Sequence, residues 1–300
     1  MATMLSSGFA DLMAPGLFDV ISTNYKQYPD EYSKIVNVKS SKKQYEKSTT
    51  IENVAAAPEK SKGEAVNFAV LTQGYDTTAT HKTYAQGCRV EREAYDDDLY
   101  TVFRDKLGQY LARSMKQRAE VIAANIFNNG FSTSYLGGDG HELFDTDHPF
   151  ASGGTYQNEL TAVSDLSQTS LEDILTLLET AKEANSMNVM FIPKILLVAP
   201  ANRWTASVLL ESQLKAGVAN NDKNPFLDLD LSYMVDHYLS DADAFFVLSD
   251  AHSLIFWERQ RPKMEADDDF DTGDAKVKIT ARYSTMWECP LGVVGTPGTP

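Results

Sequence analysis

Between residues 97 and 127 the apolar positions recur every three or four residues: Leu99, Val102, Phe103, Leu107, Tyr110, Leu111, Met115, Ala119, Ile122 and Ile126. That spacing gathers them on one stripe of a helix. Asp96, Asp97 and Asp98 stand where the helix dipole favours negative charge, and Asn128, Asn129 and Gly130 supply the stop. At 1.5 Å per residue such a helix is a rod of roughly 45 Å, far above the average helix length of about 11–12 residues. A core-facing stripe accounts for the pattern, and nothing on it points to catalysis.

The period changes to two in other places. Residues 65–92 read as a pair of strands: Val66, Phe68, Val70 and Thr72 alternate with Asn67, Ala69 and Leu71, and after GYDTT a second strand runs from Lys82 through Tyr84 and Cys88 to Val90. A lone hairpin is marginal in water and its edges invite pairing, so this one needs a neighbour. The clearest strand has Val277, Ile279, Ala281, Tyr283 and Trp287 alternating with Lys276, Lys278, Thr280, Arg282 and Ser284, which predicts one buried and one wet, basic face. Pro290 ends it, and the tail VVGTPGTP reads as a frayed terminus.

Between these segments, 131–165 is rich in glycine and turn residues. Ser170 with Asp173 forms an S-x-x-D box opening a helix to about Asn185, with Leu171, Ile174, Leu175, Leu178 and Ala181 on its apolar face. Ile195–Ala199 is an unbroken apolar strand and Ala201–Leu214 a second helix; GVANNDKNPF is a loop. Tyr233–Val235, Ala244–Leu248 and Leu254–Trp257 are short strands. Helices on a short mixed sheet make an α+β unit. In residues 1–62 the hydrophobes (Leu12, Leu17, Phe18, Tyr25, Tyr28, Ile35, Val38) collect on no face, so this segment is disordered or laid against something else.

The 43% hydrophobic and 23% charged content of the 300 residues fits a globular chain rather than a fibrous or disordered one. Charge changes the picture more. With 27 basic and 42 acidic residues the net charge is −15, which argues against gripping phosphate backbones or anionic membranes. The excess is local: residues 222–274 hold fourteen acids against four bases, whereas residues 1–62 hold eight lysines against seven acids. The run Lys34, Lys39, Lys42, Lys43 and Lys47 lacks interleaved arginine and is a weak nucleic-acid signal. Two cysteines, Cys88 and Cys289, exclude a disulfide framework and a four-cysteine zinc site. The start has no basic n-region and is broken by Asp11, and FIPKILLVAP is too short to span a bilayer, so a cytoplasmic origin is expected.

Chemical motifs are scarce: the sequence contains no P-loop, G-x-G-x-x-G, G-x-S-x-G, H-E-x-x-H, EF-hand loop or C-x-x-C. His141, Asp145, Asp147 and His148 bring metal-ligand types together in one loop. The alternative is that Asp145 and Asp147 make Asx turns ahead of Pro149, and the expectation is no bound metal and no cofactor. Glu265, Asp267, Asp268, Asp269, Asp271 and Asp274 lack EF-hand register and read as a solvated acidic loop.

An arm and a hairpin that cannot bury themselves, placed ahead of a rod and a compact unit, become stable by lying on neighbouring copies. YAQGCRVEREAYDDDLYTVF, the long helix ending in FNNGFS, and GGDGHELFDTDHPFASGGTYQN resemble the major capsid proteins of tailed bacteriophages, in particular the Mu-like major head subunit group. LVAPANRWTASVLLES and DFDTGDAKVKITARYSTMWECP follow the same pattern. The likeness runs from about residue 80 to 295 and is strongest over 84–158. It implies a Hong Kong 97-type fold, with an N-arm at 1–50, an E-loop at 51–93, a P-domain with its spine helix at 94–166, an A-domain at 167–261, and the P-domain return strand and tail at 262–300. It implies a non-enzymatic shell subunit, assembled in the bacterial cytoplasm and residing in the virion. Its partners would be itself in pentamers and hexamers, a separate scaffolding protein, a portal, a decoration protein, and double-stranded DNA touched without specificity; no membrane is implied. Phe68, Val70, Leu71, Tyr75 and Tyr84 are the expected contacts between subunits. Lys82 lies near the hairpin, but no feature of the sequence supports an isopeptide cross-link. An encapsulin-like compartment and a metal-dependent enzyme built on His141 and His148 are the alternatives.

Overall fold

Two long strands and a long helix carry one half of the structure, and a short sheet buried on both faces carries the other. The structure, a computed structural model, describes residues 30–91, 93, 102–214, 222–269, 271–272 and 274–299. In chain order the elements are α1 (Tyr32–Ile35), β1 (Asn37–Ser40), β2 (Tyr45–Glu52), β3 (Thr72–Thr80), β4 (Lys82–Val90), α2 (Val102–Asn128), β5 (His148–Pro149) and β6 (Thr155–Tyr156). Then come α3 (Gln168–Glu179), β7 (Pro193–Val198), α4 (Arg203–Glu211), β8 (Ser232–Val235), β9 (Phe245–Ser249), β10 (Leu254–Asp268), β11 (Ala275–Trp287) and β12 (Val293–Thr296).

The first sheet has the order β1-β10-β11-β4. Along β11 the expected alternation fails at Ser284, which is buried against His81 instead of facing water, but holds before it, with Ile279, Ala281 and Tyr283 buried. They receive the stripe of α2, where Leu111, Met115, Ala119, Ile122, Ala123, Ile126 and Phe127 join the same core. Tyr110, counted on the stripe, is 42% exposed. Asp96 to Asp98 and Leu99 lie outside the described residues, as do Leu12, Leu17, Phe18, Tyr25 and Tyr28. Of the two readings of residues 1–62, disordered or laid against something else, the described part from residue 30 follows the second: Ile35 and Val36 are buried in this core, and β1 pairs in parallel with β10.

The second sheet, β12-β9-β7-β8, separates this core from a second one. Successive residues of β9 serve different cores, Phe246 and Leu248 the first and Phe245 and Val247 the second. In β7, Leu197 faces the first core while Leu196 and Val198 face the second. Burial on both faces explains why these strands read as unbroken apolar runs. The residues Leu171, Ile174, Leu175, Leu178 and Ala181 form the second core as their spacing predicted, together with Ala206 and Leu210 of α4.

Four expectations are corrected. The hairpin is not 66–72 with 82–90: β3 pairs with β2, β4 pairs with β11, and 66–71 has no regular structure. The tail is not frayed, because β12 pairs with β9 and Val293 and Val294 are completely buried. Helix α3 opens on a capping box of Ser167 and Ser170 and stops at Glu179, short of Asn185; α4 is likewise shorter than Ala201–Leu214. The acidic run is loop only in its second half: Glu265, Asp267 and Asp268 stand on β10, which pairs with β11, and Asp269, Asp271 and Asp274 lie in the turn between the two strands. Glu265 bridges Lys263 and Lys278, Asp269 bridges Lys276, and Asp274 meets Arg89 at 2.6 Å, so the basic face of β11 is matched by these acids.

Candidate assembly surface

The hairpin β2–β3 stands apart from both four-stranded sheets and is fastened at its root. His81, the single residue between β3 and β4, is buried and bonded on both ring nitrogens, to Ser41 Oγ at 3.1 Å and Ser284 Oγ at 2.9 Å. Ser41 donates to Glu46 Oε1 at 2.6 Å. Burial pushes the His81 pKa down, so the neutral ring acts as a bridging donor and acceptor. Ala79 packs on Ile255 and Met286 beside this network. Farther out, the Glu52 carboxylate accepts from the N–H groups of Ala151 and Ser152 at 2.5 and 2.8 Å.

Beyond that latch every residue from 53 to 71 is exposed. Phe68, Val70 and Leu71 stand 86, 85 and 68% exposed, and Val66 60%. Isolated exposed hydrophobes are ordinary, but several together on a projecting loop mark a surface that another molecule covers. Tyr75 sits elsewhere: half-buried in β3, it lines a cavity of about 350 Å³ between the hairpin root and the body, with Tyr156, Trp287 and Cys289. Tyr84 is on β4, where the Arg118 guanidinium lies 5.8 Å from its ring centroid. The five residues expected to make contacts between subunits therefore occupy three places: Phe68, Val70 and Leu71 on the loop, Tyr75 at the root, and Tyr84 beside α2.

The sequence reading missed β2 and Arg118. Strand β2 is polar on both faces (YEKSTTIE), so no alternation marks it, and Arg118 lies off the apolar stripe of α2. An exposed arginine four turns into a core helix carries no signal until Tyr84 is known to lie beside it.

The histidine loop resolves into two separate pairs. His141 Nδ1 meets Asp145 at 2.6 Å and His148 Nδ1 meets Asp139 at 2.7 Å. The hydrogen bond to Asp145 holds the His141 pKa above its usual value. Burial works against the Asp145 charge, but the His141 bond and the N–H groups of Thr146 and Asp147 outweigh it and hold its pKa down. Asn158, fully buried, is the hub of this loop: its Oδ1 accepts from the Asp145 N–H, and its Nδ2 donates to the carbonyls of Leu143 and Pro290. Asp145 also closes an Asx turn, its Oδ1 accepting from the Asp147 N–H at 3.2 Å. Among the described residues no group of three or more His, Cys, Asp or Glu side chains converges as a metal site does. Burial of its surroundings pushes the thiol of half-buried Cys289 up to about 11, and Cys88 is shifted the same way by burial. Neither is an activated nucleophile. Among the described residues no helix is long and apolar enough to cross a membrane.

No curated protein matches the chain. Solved structures do. The capsid of the native GTA particle aligns with a TM-score of 0.60 at 10% identity, covering 96% of this chain and 100% of that one. A Mycobacterium phage Adephagia chain aligns at 0.58 and 10% identity, over 100% and 99%. The capsid of Ralstonia phage GP4 aligns at 0.54 and 13%, over 89% and 88%. At such identities the likeness is one of fold, an α+β architecture shared with these chains. Residues 74–294 match the family model for phage capsid proteins, which takes in α2, the histidine loop and both four-stranded sheets apart from β1 and the end of β12. The chain belongs to the phage capsid protein family.

Proposed function

We propose that copies of this chain build the icosahedral shell around a phage's double-stranded DNA, with the part names of the Hong Kong 97-type fold. The projecting hairpin 45–80 takes the place of the E-loop, shifted from the 51–93 expected from sequence. Helix α2 is the spine of the P-domain and β10–β11 its long strands. The unit from about 167 to 261, with β12 added to its sheet, is the A-domain, and residues 1–50 are the N-arm. Self-assembly into pentamers and hexamers, a separate scaffolding protein, a portal and a decoration protein complete the reading, with assembly in the host cytoplasm and residence in the virion. The observation that carries it is the family match together with a 53–71 loop that exposes Val66, Phe68, Val70 and Leu71.

Electron microscopy of the purified protein tests this. Closed shells, tubes or capsomers are expected. Phe68→Asp places a charge in the exposed apolar cluster and should abolish shells while leaving the circular dichroism spectrum and melting temperature of the free subunit unchanged. A monomer that never associates would overturn the reading, and shells that hold only protein cargo would favour an encapsulin-like compartment.

A further inference from the structure

The cavity at the root of the hairpin is walled by parts of the chain that are distant in sequence. Strands β2 and β3 form one side, the histidine loop another, and the segment after α3 and the end of β11 close the rest. At about 350 Å³ it has the size of a small-molecule site.

Its walls carry one sign of charge. Glu52, Asp139, Glu183 and Glu288 line it, and no lysine or arginine does. Asp139 is engaged by the His148 ring at 2.7 Å. The Glu52 carboxylate meets only the N–H groups of Ala151 and Ser152. Among the described residues the carboxylates of Glu183 and Glu288 meet neither a cation nor a hydrogen-bond donor. Cys289, in the same wall, feels these charges together. Burial raises its thiol pKa most, and Asp139, Glu183 and Glu288 all add to the rise. Like charges so placed repel one another, and a cation among them relieves every pair.

The rest of the wall is aromatic. Tyr75, Phe150, Tyr156 and Trp287 line the cavity, and its surface is more apolar than polar. Tyr156 is only 7% exposed, and its hydroxyl has no hydrogen-bond partner among the described residues. A buried hydroxyl left unpaired costs free energy, which a donor on a ligand recovers.

A metal ion does not fit these walls. Among the described residues no three His, Cys, Asp or Glu side chains converge as a metal requires. An alkylammonium does fit, because it brings N–H donors for carboxylates and methylenes for aromatic rings in one molecule. Other grooves lack the combination. Beside β8, Lys34 and Arg203 balance Glu31 and Glu211, and between β4 and α2 there is Arg118 with no acid.

We propose that the cavity binds a small aliphatic amine in its ammonium form, held by Glu52, Glu183 and Glu288, with its methylenes against Tyr75 and Trp287 and an N–H donated to the Tyr156 hydroxyl. The bound amine bridges the hairpin root and the body, and so fixes the hairpin against the rest of the subunit. The site lies within one copy, so the inference stands apart from the shell reading and does not fall with it.

Isothermal titration calorimetry of the full chain with 1,4-diaminobutane tests it, against sodium chloride of equal ionic strength. Saturable binding at one site per chain is expected, and the neutral 1,4-butanediol should give none. Glu183→Gln with Glu288→Gln should weaken the binding at least about tenfold. Asp222→Asn with Asp243→Asn, which removes two acids outside the cavity, should leave it unchanged. Heat that never saturates, or that both pairs of substitutions reduce equally, is general attraction to an acidic protein and overturns the proposal. Hydrogen exchange on the wild-type protein reads the same site without any substitution. Saturating diamine should slow the amides of Tyr75 to Thr77 and of Trp287 to Cys289 together; unchanged exchange at either segment overturns the proposal.

Discussion

A single carboxylate joins the first described residues of the chain to the spine helix. Glu120, only 3% exposed on α2, accepts from the N–H groups of Glu31 and Tyr32 at 3.1 and 2.9 Å. These are orphan donors at the start of α1, so Glu120 acts as its cap from a distant element. Glu31 in turn holds His237 through both its N–H and its Nδ1, and Asp30 pairs with Lys116. Burial, opposed by those two N–H donors and aided by the charges of Glu31 and Asp30, pushes the Glu120 pKa up to about 7. Buried Asp236 is raised to about 6, again chiefly by burial. Both carboxyls have folded pKa values above their unfolded ones, so the folded state holds protons that the unfolded state has released. Their contribution to stability is full below about pH 4 and is lost as pH rises through 6 and 7. Melting temperature measured from pH 5 to 8 should therefore carry a downward component. Glu120→Gln should flatten it by an amount on the order of 1 kcal/mol. A variant whose pH profile parallels the wild type would contradict this account.

At the scale of elements, the strand that most repays attention is β12, because nothing in its sequence announces it. VVGT is followed by glycine and prolines, which suggests fraying. Its role comes from β9, whose free edge it completes, so only the partner makes it a strand. Gly295 shows how tight that fit is: a Cβ there would lie 2.7 Å from the Phe246 ring and 3.1 Å from that of Phe144. Those rings are stacked with centroids 5.1 Å apart and have no room to retreat. Gly295→Val should cost about 1–3 kcal/mol, read as a lower melting temperature of the subunit. The same contrast explains what the sequence revealed and what it hid. The α2 stripe, the α3 face and the β11 alternation were legible because each side chain there points at a core over several turns or pleats. Strand β2 and the far half of β10 were hidden because their side chains meet water or one another across the strand. The exposure of Phe68, Val70 and Leu71 was legible as an apolar alternation with no neighbouring pattern to cover it. The nearness of Tyr84 to Arg118 was not, because the two are 34 positions apart and meet only when β4 lies along α2.

For the whole molecule the net charge of −15 sets the conditions of assembly. Like-charged subunits repel as they approach, and that repulsion weakens as the screening length falls from about 10 Å at 0.1 M salt to about 3 Å at 1 M. The fold narrows down which acids matter. Of the excess between 222 and 274, Glu265, Asp269 and Asp274 are matched by Lys263, Lys276, Lys278 and Arg89 within the chain. Asp228 and Asp230 have Lys223 and Lys194, and Asp236 is buried. Asp222, Asp241, Asp243 and Asp250 remain exposed on the α+β unit proposed as the A-domain, whose loops would face one another around each symmetry axis. Association followed by light scattering should therefore rise with sodium chloride, and Asp222→Asn with Asp243→Asn should shift that rise to lower salt. The same substitutions should leave the melting temperature of the free subunit nearly unchanged, since exposed charges contribute little to the fold. Assembly indifferent to salt would remove the electrostatic argument. The acidity would also serve a container for DNA: an acidic wall repels phosphate, so the genome is enclosed without being gripped.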